Sequence, residues 1–80
     1  MKKQLVDTED FGLAIALVCC GYELAALERQ KQGSNRITFR FLAHDSIDED
    51  AQNYWSGKLT VDAKTYWNES KNLKTRLYSL

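Results

Sequence analysis

Apolar and polar positions divide this chain into blocks punctuated by glycine. Leu13 to Cys20 is apolar throughout, and the residues just before it, Asp7 to Asp10, either cap helices or suit the positive end of a helix dipole. The pattern predicts a helix over Glu9–Cys20, capped by Asp7 or Thr8 and stopped at Gly21. A helix with so little polar face has to be covered on several sides, by a sheet and another helix or by a second subunit.

Tyr22–Gln30 and Arg36–Ala43 read as two strands. In the second, Ile37, Phe39 and Phe41 point one way and Thr38, Arg40 and Leu42 the other, a period of two in β-branched and aromatic residues. The polar, glycine-containing run Lys31 to Asn35 between them suits a hairpin loop. Gln4 to Val6 can add an edge strand.

Ser46-Ile47-Asp48-Glu49 has the form of a capping box, and it opens a helix with Ile47, Ala51, Tyr54 and Trp55 on one face before Gly57. Lys58 to Val61 is an extended link. Asp62 then caps a final helix whose inward face is Ala63, Tyr66, Trp67, Ser70, Leu73 and Leu77. Lys71, Lys74 and Arg76 sit where positive charge complements its dipole. The fold expected is α+β: a small antiparallel sheet, made of the hairpin with an optional third N-terminal strand, packed by three helices in the order (β)αββαα.

Eighty residues make one small domain, 1–80, and a chain of that length buries only about 60–65% of the surface its unfolded form exposes. Apolar packing has to hold it, because the two cysteines are neighbours and cannot clip distant segments together. The single histidine leaves no spaced ligand pairs for zinc, and no cofactor is expected. Eleven basic and 11 acidic residues balance, without the positive excess usual in a protein that coats nucleic acid. Polar residues after Met1-Lys2-Lys3 interrupt any secretory signal, and the eight-residue apolar run is too short to span a bilayer. A cytoplasmic protein with no membrane contact and reduced thiols is expected.

Four features could carry chemistry. Cys19 and Cys20 project about 100° apart on a helix, belong to no Cys-x-x-Cys motif and have no basic neighbour, so buried small hydrophobes are expected. His44 beside Asp45 could form a base with its orienting group, but no nucleophile motif accompanies it. A turn histidine bonded to Asp45 or Ser46 is expected instead. The acidic run Asp45, Asp48, Glu49 and Asp50 lacks calcium-loop spacing and reads as helix capping. Arg29, Lys31, Arg36 and Arg40 make the hairpin basic, and an arginine-bearing ribbon is a candidate nucleic-acid contact. The pairs Tyr54-Trp55 and Tyr66-Trp67 read as core, with one member of each free to anchor a partner.

Several segments together carry a family likeness: Asp10-Phe11-Gly12-Leu13-Ala14, Gly21-Tyr22-Glu23-Leu24, Arg36-Ile37-Thr38-Phe39-Arg40-Phe41, Tyr54-Trp55-Ser56-Gly57, Val61-Asp62 and Leu73-Lys74-Thr75-Arg76-Leu77-Tyr78. The chain resembles a family of small prokaryotic domains of unknown function, over nearly its whole length. The resemblance implies a stand-alone protein of bacteria, archaea or their mobile elements, and it carries no functional residues with it. Cys19-Cys20 departs from the family pattern.

No catalytic constellation emerges, whereas apolar and aromatic area is plentiful for so small a core. The leading expectation is a non-catalytic module that binds another macromolecule, a protein partner, with self-association through the first helix included. The alternative is a nucleic-acid-binding accessory factor using the basic hairpin.

Overall fold

Leu5 to Thr8 alternates in exposure, which suffices for an edge strand once a partner lies beside it. In the computed structural model, which describes residues 5–29 and 36–79, this segment is strand β1 (Leu5–Thr8). It is followed by α1 (Phe11–Cys19), β2 (Leu24–Arg29), β3 (Ile37–Leu42), α2 (Ile47–Trp55) and α3 (Ala63–Tyr78). The fold is α+β with the expected order. The hairpin loop expected over Lys31–Asn35 lies outside the described residues.

The sheet order is β1-β3-β2, and both outer strands run antiparallel to β3. β1 and β2 are therefore parallel to each other, with α1 crossing between them and β3 inserted into the gap, a split βαβ unit. Phe41 pairs with Val6 on one side and Leu24 on the other, and Phe39 pairs with Thr8 and Leu27. The optional third strand thus makes β3 the central strand, and Phe39 and Phe41 are almost wholly buried.

Leu13, Ala14, Ile15, Ala16 and Leu17 are five consecutive buried residues, so α1 is enclosed all round. It packs against α2 and α3 and shares one core cluster with Phe39, Phe41, Ile47 and Leu73. The chain's own elements cover this apolar run, and a second subunit is not needed to bury it. None of the described helices is long and apolar enough to cross a membrane.

Local chemistry sets the boundaries. The α1 cap is Asp10, whose carboxylate accepts the Leu13 N–H at 2.9 Å, and not Asp7 or Thr8. Pairing with β3 draws Asp7 and Thr8 into the ladder, which moves the helix start along the chain. At the other end, Tyr22 N–H reaches Leu17 O at 3.1 Å and Gly21 N–H reaches Val18 O at 3.0 Å. That is a Schellman closure, and its left-handed residue is Gly21 at φ +98°. The same two bonds stop α2: Gly57 N–H to Tyr54 O and Lys58 N–H to Asn53 O. Asp62 caps α3 as expected, and the Thr65 backbone N–H and hydroxyl that bind its carboxylate hold its pKa below the ordinary value.

The helix faces depart from expectation at the tryptophans. Trp55 and Trp67 are 59% and 58% exposed and do not fill the core. On α2, Ala51 and Tyr54 lie about 40° and 20° either side of Ile47, whereas Trp55 falls about 80° away, at the edge of the stripe. On α3, Trp67 lies about 100° from Tyr66, while Ser70, Leu73 and Leu77 stay within about 40° of it. Lys71 Nζ lies 5.8 Å from the Trp67 ring centre, a cation–π contact on the exposed side. Ala63 is exposed as well.

Candidate protein-interaction surface

The first place to look for chemistry is the exit of β3. His44 Nδ1 lies 3.0 Å from Ser46 Oγ and accepts the Ser46 backbone N–H at 3.2 Å. Ser46 Oγ lies 2.7 Å from the Tyr22 hydroxyl, which donates in turn to Asp50. The rings of Tyr22 and His44 meet edge to face, with centres 5.8 Å apart. His44 is thus the turn histidine bonded to Ser46. The capping box does not form: Ser46 makes no side-chain cap bond, because its hydroxyl is turned to Tyr22 and His44. Tyr22 is the member that the sequence reading missed, since 24 residues separate it from Ser46 and no local pattern announces the contact.

This cluster works as a clasp between the link that leads into β2 and the first turn of α2. Desolvation and the bond to Asp50 raise the Tyr22 pKa, so the phenol keeps its proton and stays a donor. We expect Tyr22→Phe to cost about 1–2 kcal/mol, because a partly buried bond to a carboxylate is lost. Thermal unfolding followed by circular dichroism checks this, and an unchanged midpoint would remove the clasp from the stability of the fold.

The thiols are not activated. Desolvation raises both pKa values, reinforced at Cys19 by Glu69 and Asp62 and at Cys20 by Asp50. Cys20 is exposed, contrary to the expectation of two buried hydrophobes, because it caps the helix beyond the core and its neighbour Cys19 takes the inner position. Among the described residues, no cluster of three His, Cys, Asp or Glu could hold a metal ion.

Among the described basic residues of the hairpin, Arg40 stands apart from Arg29 and Arg36, which lie at the same end of the β2–β3 pair. Arg40, at the centre of the sheet face away from Phe39 and Phe41, lies between two carboxylates. Its Nε is 3.3 Å from Asp7 of β1, and its Nη1 pairs with Glu28 of β2. Arg29 ends β2, and Arg36, just before β3, lies 3.8 Å from Glu9. Lys31 lies outside the described residues. Beside Arg40, a shallow hollow of about 260 Å³ is lined by Asp7, Thr8, Glu9 and Thr38. Polar groups of both signs line it.

A different surface is apolar. A groove of about 250 Å³ runs between β1 and α2. Val6 and Thr8 form one wall, Ala51 and Trp55 the other, and Leu13, Leu17, Phe41 and Ile47 close the floor. Asp7 and Asp48 are also among its lining residues, with the Asp7 carboxylate turned to Arg40 on the other face of the sheet. The floor belongs to the rigid core, and the exposed Trp55 indole forms the lip, set edge-on to Tyr54 with ring centres 5.2 Å apart. The helical angle of Trp55 was the available sequence signal for this lip, but the groove itself depends on β1 and α2 meeting in space.

In comparison with known proteins, the family described as Domain of unknown function (DUF5659) matches residues 3–79. No curated protein and no solved structure matches the chain.

Proposed function

Since the chain belongs to the DUF5659 family of unknown function, we propose its role from its own surfaces: a non-catalytic interaction module that binds another protein in the cytoplasm. The observation that carries this reading is the exposed Trp55 at the lip of an apolar groove, with Trp67 exposed on the neighbouring helix. A large indole left in water beside apolar area is the kind of anchor that dominates protein interfaces. The non-catalytic part is supported by thiols and a phenol whose pKa values are raised, away from activation. The two unpaired cysteines support the reducing compartment.

Quantitative capture from a lysate of the native host, followed by reconstitution of any captured polypeptide from purified components, tests the reading. A polypeptide that rebinds at fixed stoichiometry supports it. Recovery of nucleic acid alone, released by salt and lost in Arg36→Ala, would replace it with the nucleic-acid alternative. In that alternative Arg29, Lys31, Arg36 and Arg40 would carry the contact, and Arg36 and Arg40 would exchange their carboxylate partners for phosphate.

A further inference from the structure

Charge is unevenly divided in this neutral chain. From Asp45 to Ser56 it carries Asp45, Asp48, Glu49 and Asp50 and no lysine or arginine. α3 carries Lys64, Lys71, Lys74 and Arg76 against Glu69 alone. Helical geometry places the two sets alike. On α2, Asp48, Gln52 and Trp55 lie about 80–140° round from the inward Ile47. On α3, Trp67, Lys71, Lys74 and Tyr78 lie about 80–140° round from the inward Tyr66. All of these stripe residues are exposed. α2 therefore shows water an acidic stripe holding an indole, and α3 a basic stripe holding two aromatic rings.

The stripes are not satisfied within the molecule. Among the described residues, Asp48, Lys71 and Lys74 have no ion-pair partner, and Tyr78 is 88% exposed. Exposed charge alone is ordinary, but each stripe here is the complement of the other. Their spacing agrees as well. Asp48 and Trp55 stand seven residues apart, about 10.5 Å along the axis, and so do Trp67 and Lys74. Laid antiparallel, Asp48 meets Lys74 while Trp55 meets Trp67. The positive dipole end of α2 then faces the negative dipole end of α3.

We infer that the partner of each stripe is the other stripe on a second copy of this chain, with α2 of one molecule against α3 of the next. This rests on the reading of the exposed indoles as protein anchors and names what they anchor. A polyanion such as nucleic acid would match α3 and leave the acidic α2 without a partner, whereas a second copy matches both. Each molecule offers both stripes, so the contact is made twice in a closed pair or repeats along an open chain. A contact between two short helix faces is smaller than the roughly 1,200 Å² of a standard interface, and the association is weak and reversible.

The test uses the full chain in two charge-reversed forms, Asp48→Lys with Glu49→Lys, and Lys71→Glu with Lys74→Glu, each checked for fold by circular dichroism. Sedimentation velocity of the unaltered chain, from about 10 μM to about 1 mM at low ionic strength, is expected to show reversible association that added salt weakens. Each reversed form carries two stripes of one sign and should associate at least about tenfold more weakly. An equimolar mixture of the two forms opposes acid to base again and should restore the association. Restoration separates a lost contact from a lost fold. Should a reversed form unfold, Trp55→Ser in the otherwise unaltered chain should give the same weakening.

An unaltered chain that stays monomeric throughout would overturn the inference. Association that both reversals leave intact, or that mixing fails to restore, would overturn it too. A single-stranded oligonucleotide bound by a monomeric chain and lost in Lys71→Glu with Lys74→Glu would assign α3 to phosphate instead. If the chain is monomeric while a reconstituted host polypeptide binds it and is lost in Trp55→Ser, the second copy is excluded and the protein-binding reading stands. If neither a second copy nor any host polypeptide binds, both fall.

Discussion

Phe41→Ala is expected to remove about 3–5 kcal/mol, the range for deleting a fully buried phenylalanine. Phe41 is 0% exposed, sits mid-way along the central strand and is flanked there by Val6 and Leu24. Its ring also closes the floor of the groove, between Leu13, Leu17 and Ile47. Those neighbours come from α1, α2 and both outer strands, so no single element can collapse into the space left behind. Domains of this length hold roughly 4–12 kcal/mol in total, so the variant should be partly unfolded at room temperature or close to it. Urea unfolding followed by far-ultraviolet circular dichroism measures the loss. A cost below about 1 kcal/mol would mean that β3 is not the centre of the core. Phe41→Leu, which keeps most of the volume, should cost less than about 1.5 kcal/mol.

Gly12→Ala should destabilise by about 1–3 kcal/mol, the cost of forcing extra volume into a filled contact. A Cβ on Gly12 would lie 2.5 Å from the Tyr54 hydroxyl, well inside van der Waals contact. The hydroxyl of Tyr66 also reaches Gly12 O, at 3.4 Å, so α1 meets α2 and α3 at this one residue. Tyr54 has little room to swing aside, because its ring packs against the core cluster and against Trp55. In a Tyr54→Phe background the closest remaining ring atom lies 3.6 Å from the new Cβ, an ordinary contact. There the same substitution should become neutral or stabilise by up to about 1 kcal/mol, since alanine is the better helix former. Denaturant midpoints of the four proteins give the coupling. Equal effects of Gly12→Ala in both backgrounds would show that the hydroxyl is not the obstacle.

Features that depend on nearby residues were legible in the sequence. The apolar run ending at Gly21, the alternation of Ile37, Phe39 and Phe41, and the Asp62 cap all need only a few neighbours to be recognised, and all are present. The same holds for Tyr66, Ser70, Leu73 and Leu77 along α3. Features decided across the fold were not. Ser46 has the sequence of a helix cap, but a tyrosine 24 residues away takes its hydroxyl. Asp7 suits a cap as well, yet its register with Arg40 makes it a strand residue and an ion-pair partner. Arg40 likewise reads as a free cation until β1 and β2 bring carboxylates to both sides of it.

The candidate surface was less legible than the fold, for a related reason. Hydrophobicity alone turns Trp55 and Trp67 inward, although helical geometry sets Trp67 off its face and Trp55 at the margin, and both are exposed. The groove joins residues from four elements, and no window of sequence contains both of its walls. Arg29, Lys31, Arg36 and Arg40 cluster in sequence because they belong to one hairpin. Arg40 is separated from Arg29 and Arg36 by its place at the middle of the sheet.

Inserting β3 between β1 and β2 gives the domain a built-in order of assembly. During synthesis the first strand emerges with nothing to pair with, and it must wait for Ile37–Leu42, some 30 residues later, before its backbone bonds can form. The hairpin can close locally in the meantime, so docking of the amino-terminal strand is the natural last step. Clipping that strand away would bare one side of the phenylalanine-bearing ribbon, turning a paired strand into a template on which like chains could stack.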